Sequence, residues 1–163
     1  MFGRRSFGRN RWQVILHNTG TGHNIVLADV RGRNVRADPG QVNGNWAVWD
    51  VCGRACSVYR YDLGGRTKKR LPNTLRGRLR YAPSVAADGT AYYAHSGAGC
   101  GANVRLVEKP VGAPAQVLVA FKRGVVDIST TSAVADQVSG TDVYYDRFAC
   151  RTRGSDIYKV VVP

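Results

Sequence analysis

A strand pattern that recurs four times along the chain limits its possible folds more than any other feature. Asn24-Ile25-Val26-Leu27-Ala28-Asp29, Ser57-Val58-Tyr59-Arg60-Tyr61-Asp62, Asn103-Val104-Arg105-Leu106-Val107-Glu108 and Asp156-Ile157-Tyr158-Lys159-Val160 align with one another. Each opens on a small polar residue and continues as a β-rich run; the first three reach an acid five positions later. From Ile25 through Val58 and Val104 to Ile157 the steps are 33, 46 and 53 residues. Another strand precedes each copy, at 12–17, 46–51, 91–95 and 143–147, joined to it by a hairpin loop rich in Gly, Arg or Cys. In three copies a turn follows, at Arg31-Gly32, Gly64-Gly65 and Val111-Gly112, and then a third strand at 34–37, 67–71 and 115–121. Segments 81–89 and 128–136 lead into the units that follow them.

Each unit is therefore a set of about four short strands with tight turns, at the ~40–50-residue repeat of a propeller blade. A single four-stranded sheet cannot bury both of its faces, whereas blades stacked around an axis cover one another and shorten exposed edges. The expected fold class is all-β: antiparallel four-stranded blades of a β-propeller, about three to four of them in a partial or open ring. The units fall at approximately 12–40, 41–80, 81–124 and 125–163. A basic arm at 1–11, with Arg4, Arg5, Arg9 and Arg11, precedes them and is expected to lack order. The competing fold is a β-sandwich with accidental self-similarity. Nineteen Gly, eight Tyr and three Trp suit strands and turns rather than helices. Closed rings usually hold about 4–8 blades, so a longer parent chain, a homo-oligomer and a small open fold all remain open. Missing blades at the N-terminal side are the favoured expectation, which also accounts for the absence of a secretory leader. No apolar run approaches the ~20 residues of a membrane-spanning helix.

The units resemble the TolB-like, or WD-like, propeller repeats of bacterial envelope and secreted proteins. The residues that carry the resemblance are Tyr81-Ala82-Pro83-Ser84-Val85-Ala86-Ala87-Asp88-Gly89-Thr90-Ala91-Tyr92-Tyr93 and Val58-Tyr59-Arg60-Tyr61-Asp62-Leu63-Gly64-Gly65-Arg66. They follow the family order of a Pro-Ser strand, an Asp-Gly turn, an apolar strand and an aromatic strand that ends on Asp. Val85 stands where the family usually has Trp, and the second unit is short between Asp38 and Asn45. The resemblance implies a scaffold or binding role and does not imply an enzyme.

Four cysteines, Cys52, Cys56, Cys100 and Cys150, fall in hairpin loops of the repeat. A Cys52–Cys56 bridge would fix the register of its hairpin. Cys100 and Cys150 occupy corresponding loops of successive blades and would staple them, worth roughly 3–4 kcal/mol for a loop of about 50 residues. Disulfides place the protein in an extracellular or envelope setting. Free thiols and a zinc site are the alternatives, and the spacing of the two distant cysteines suits a zinc ribbon poorly. No metal site, cofactor or catalytic residue is assigned. His17, His23 and His95 lie at analogous blade ends and read as exposed loop residues rather than a gathered ligand site. Asp50 and Asp146 lie at corresponding strand ends; a propeller-based hydrolase or lyase is the third reading they leave, against a structural role in turns.

The formal charge is +13, from 24 basic and 11 acidic residues. Its densest stretch is Arg66, Lys68, Lys69, Arg70, Arg76, Arg78 and Arg80, with no acid among them. Such a run can bind polyanions, with Tyr59, Tyr61 and Tyr81 close in sequence for stacking. It also serves as a solvated edge strand whose charges deter pairing. Trp46, Trp49, Tyr92, Tyr93, Tyr144 and Tyr145 recur at matching positions and read as inter-blade core. The expected function is a non-catalytic module that binds a protein or a cell-envelope glycan through its loop face. The alternative is a polyanion- or nucleic-acid-binding module that uses residues 66–80.

Overall fold

Period-2 alternation between Gly-containing turns produces strands and, among the described residues, no helix. The computed structural model describes residues 1–6, 10–72, 79–97, 99–124, 126–136, 140–150 and 154–163. The first sheet holds β1 (Phe2–Ser6), β2 (Arg11–His17) and β3 (Asn24–Arg31). The second runs β4 (Arg36–Asn43), β5 (Trp46–Cys52), β6 (Cys56–Asp62) and β7 (Thr67–Arg70). The third runs β8 (Leu79–Val85), β9 (Ala91–Ser96), β10 (Arg105–Lys109) and β11 (Gln116–Ala120). The fourth holds β12 (Val126–Asp127), β13 (Thr131–Asp136), β14 (Gly140–Ala149) and β15 (Ser155–Val162). In it β12 and β13 follow one another along one edge of β14, and β15 takes the other edge. All pairings are antiparallel between neighbours.

Two expectations change. The arm expected over 1–11 is a strand at its start: β1 pairs with β2 from Phe2↔Ile15 to Ser6↔Arg11. The Arg5 guanidinium lies 5.0 Å over the Trp12 ring, so a basic side chain packs on an aromatic instead of dispersing into water. Residues 34–37 do not return to the first sheet. Arg36 and Ala37 start β4 and pair with Cys52 and Val51, so the boundary between the first two units falls at the turn 32–35.

The first strands of the second and third sheets carry bulges at their prolines. Register shifts between Pro39 and Val42 in β4 and between Tyr81 and Ser84 in β8. Proline has no N–H for a ladder, so a bulge is where a strand tolerates it. Gly40 lies inside the first bulge. A Cβ there would strike the Pro83 carbonyl and sit 2.8 Å from the Val48 carbonyl, so only glycine lets the strands approach this closely.

The four sheets stack in chain order, with one apolar layer between each pair. Val14, Leu16 and Leu27 of the first sheet meet Ala47 and Trp49 of β5. Val48 of β5 instead joins Val58, Val85, Tyr93 and Val107 between the second and third sheets. Tyr92 and Ala94 of β9 face the other way, toward Ile128, Ala133, Val143 and Tyr145 of the fourth sheet region. Successive residues of β5 and β9 thus enter opposite layers, because a pleated strand alternates its side chains. Both strands are almost continuously apolar because both of their faces are covered. Trp49, Tyr92, Tyr93 and Tyr145 are buried as expected, but Tyr144 points outward and is 37% exposed. Trp46 is half-buried, with the Arg60 guanidinium 5.3 Å over its ring.

Two cysteine pairs lie at disulfide distance. Cys52–Cys56 closes the β5–β6 hairpin, with Cα atoms 4.0 Å apart. Cys100–Cys150 joins the β9–β10 connection of the third sheet to the end of β14 in the fourth, with Cα atoms 5.8 Å apart. Among the described residues, no helix is long and apolar enough to cross a membrane.

Candidate functional site

The bulged first strands converge. Gln41 of β4 reaches out of its own sheet: its Oε1 accepts the N–H of Val85 at 3.3 Å and of Ala133 at 3.0 Å. Its Nε2 donates to the Ala133 carbonyl at 2.7 Å. One amide therefore satisfies backbone groups of the third and fourth sheets together. Asp50 of β5 accepts the N–H of Ala82 at 3.0 Å. Thr131 donates its hydroxyl to the Ala82 carbonyl and lies 2.9 Å from the Ser84 hydroxyl. Bulges free backbone donors and acceptors from the ladders, and these side chains are what satisfy them.

This belt surrounds a cavity of about 450 Å³. Its walls are the β4 stretch from Arg36 to Gln41, the β8 stretch Tyr81 to Pro83, the segment Ser129 to Ser132, and Asp50. Arg36 and Asp38 form an ion pair at its edge, Nε to Oδ2, at 2.9 Å. Ser129 and Thr130 are held from behind: their N–H groups donate to Asp146 Oδ1 at 2.6 and 2.8 Å, and the Ser129 hydroxyl donates to Oδ2. The Tyr81 hydroxyl donates to Asp127.

Burial pushes the Asp50 carboxyl up to about 7, and the nearby Asp38 charge adds to the rise, while the Ala82 N–H and Arg36 oppose it. The Tyr81 hydroxyl is also raised, first by burial and then by the hydrogen bond it gives to Asp127. Asp50 and Asp146 thus both serve this region. Asp50 lines the cavity, whereas Asp146 acts as a backbone brace.

The expected basic stretch is divided. β7 is the outer strand of the second sheet, and Lys68, Lys69 and Arg70 on it are exposed, as is Arg66 in the turn before it. Lys68 Nζ donates to the Leu27 carbonyl of the first sheet at 3.4 Å. Arg80 belongs to no surface patch: it is 3% exposed and donates from Nη1 to the Leu71 carbonyl at 2.8 Å. Its aliphatic stem suits a core position, and its head finds a backbone acceptor there. Arg76 and Arg78 lie outside the described residues. The tyrosines are also occupied, since Tyr59 stacks on Trp49 with ring centroids 5.6 Å apart. His17 and His23 stand exposed at the β2–β3 hairpin, whereas His95 is buried in β9, so the three share no exposed face.

Sequence reasoning missed Gln41, Thr131 and the serine-threonine run that ends at Ser132. The available signal was the Pro-Gly pair just before Gln41, which marks a bulge and so a place where a polar side chain must serve backbone groups. What the fold and this cavity define is a class: an all-β protein of stacked antiparallel sheets with a polar cavity at their junction. Neither a family model nor a curated protein sequence matches the chain.

Proposed function

We propose that the chain is a non-catalytic binding module of the β-propeller type that takes a neutral, polyhydroxylated segment of a cell-envelope glycan into the junction cavity. The observation that carries this reading is the chemistry of the wall. The Arg36–Asp38 pair offers donors beside acceptors, and Thr130 and Ser132 offer exposed hydroxyls, around a volume within the ~300–1,000 Å³ of small-ligand sites. Neighbouring sugar hydroxyls each donate and accept, and they match such a wall. The cavity is built on strands tied to three sheets, so little ordering is needed on binding. The two cysteine pairs and the resemblance to TolB-like repeats support an extracellular or envelope setting.

Calorimetric titration with neutral oligosaccharides, such as soluble oligomers of glucose and of N-acetylglucosamine, tests it. Asp38→Ala and Ser132→Ala should each weaken binding by about tenfold, as expected for loss of a hydrogen bond to a charged group or of a buried hydroxyl contact. Absence of binding by every neutral glycan tried, or binding indifferent to both substitutions, would sink the reading.

The exposure of Lys68, Lys69 and Arg70 favours a second reading, a polyanion-binding edge. It requires affinity for an acidic polymer that falls with salt and is lost on charge reversal at these three positions.

A further inference from the structure

Large apolar side chains line a second cavity, of about 940 Å³, at the end of the first sheet that carries the β2–β3 hairpin. Leu16 belongs to the apolar layer between the first and second sheets, and Leu63 packs against that layer. Ile25 is opposite Leu16 in the ladder and so shares its face of the sheet, yet it is 44% exposed. Val42 of β4 adds a fourth apolar side chain, 36% exposed. The layer therefore runs out into a hollow instead of being capped. Arg66, from the turn between β6 and β7, lines the same hollow, and no Asp or Glu does. We infer that this cavity binds an aliphatic carboxylate, its tail along the four apolar side chains and its head on Arg66.

The walls are set without a ligand. In the hairpin loop the Asn18 side-chain oxygen accepts the N–H groups of Gly20 at 2.9 Å and Thr21 at 3.0 Å. The Asn18 N–H donates to the His23 carbonyl at 2.9 Å. The Leu63 N–H donates to the Asn45 carbonyl at 2.8 Å, which holds Leu63 beside the β4–β5 turn. Arg66 has a φ of 51°, in the left-handed region where a side chain is strained and glycine is not. Glycines fill the two positions before it, yet arginine holds the strained one. Asp62 is engaged within the turn, its Oδ1 accepting the Gly65 N–H at 3.0 Å. Among the described residues Arg66 makes no ion pair.

One guanidinium beside an apolar hollow calls for a ligand with two ends. A bare inorganic anion would leave the four apolar side chains in water. A neutral hydrocarbon would leave the guanidinium without a partner. A single positive charge suits a monoanion, and a guanidinium meets a carboxylate with two parallel N–H bonds, a fork that lysine lacks. The volume lies at the upper end of the ~300–1,000 Å³ of small-ligand sites, which leaves room for a tail of several methylenes.

The inference does not rest on the glycan reading, and the two fail separately because the two cavities share no lining residue. The probe is decanoate below its micelle concentration, titrated calorimetrically into the whole chain and followed through the methyl NMR signals of Leu16, Ile25, Val42 and Leu63. Saturable binding at one site is expected, with these four signals shifting together. Octanoate should bind about tenfold more weakly, since it buries two fewer methylenes. Arg66→Gln should weaken decanoate by about tenfold and leave decanol unchanged, because only the charged head loses its partner. Arg66→Gly should weaken decanoate equally while relieving the left-handed backbone, so that thermal unfolding separates lost affinity from lost fold. Lys69→Gln, on the exposed edge strand, should change decanoate affinity by less than about twofold. Absence of decanoate binding, an affinity unchanged in both Arg66 variants, acetate binding as tightly as decanoate, or non-saturating shifts that extend to Ile157 and Val161 on β15 would each overturn the inference.

Discussion

Asp50 keeps its carboxyl under the second and third sheets, where ionisation is opposed by burial. Its pKa rises from the ordinary carboxylate range to about 7 in the folded protein. A raised folded value means that the neutral form is favoured by folding. The stability it confers is complete below about pH 4 and is lost as pH rises through about 7. Between pH 5 and 8, wild type should therefore lose about 2–3 kcal/mol relative to Asp50→Asn, which keeps an oxygen for the Ala82 N–H. Denaturant unfolding of both proteins at the two pH values measures it, and a difference that does not move with pH would remove the assignment. Arg80 shows why such residues were hard to read. A basic run looks the same in sequence whether its guanidiniums meet water or, as here, the Leu71 carbonyl. The apolar run from Ala91 to Ala94, in contrast, was legible as core, because a strand covered on both faces carries apolar residues at successive positions.

At the scale of elements, the bulges matter most. β4 can approach β8 only because Gly40 has no side chain. Gly40→Ala should destabilise the fold by about 2–4 kcal/mol, since the added methyl meets two backbone carbonyls that cannot rotate away. Gly64→Ala is the control. Its Cβ would meet nothing nearer than 3.5 Å, and the change should stay within about 0.5 kcal/mol. Equal effects in thermal unfolding would show that the approach at Gly40 is not tight. The hairpins and their loops were readable from local pattern, because turn chemistry and register act over a few residues; which cysteines pair was not, since Cys100 and Cys150 are 50 residues apart and meet only through the stacking of the third and fourth sheets. The convergence at Gln41 was not. Its partners are 44 and 92 residues away, and the side chain–backbone bonds that hold them leave no periodic trace.

The whole molecule is a stack whose layers are joined mainly by apolar contact, with one covalent link between different sheets among the described residues. Cys100–Cys150 closes a loop of 50 residues, and Cys52–Cys56 a loop of four. In the chain-entropy model the first contributes about 4 kcal/mol and the second about half that. Cys150→Ser paired with Cys100→Ser should therefore cost more in denaturant unfolding than the double substitution in the hairpin. Amide exchange should then speed up across β12 to β15 before it does so in β2 and β5. Uniform acceleration over all four sheets would show instead that the stack opens as one unit. Gln41 bears on the same question from the inside. Its carboxamide is the rivet through three plates, and the cavity wall is made of the metal around that rivet. Anything that seats itself against this wall presses on three sheets at once, so an occupant no larger than a sugar ring would be felt as stiffness from β4 to β13.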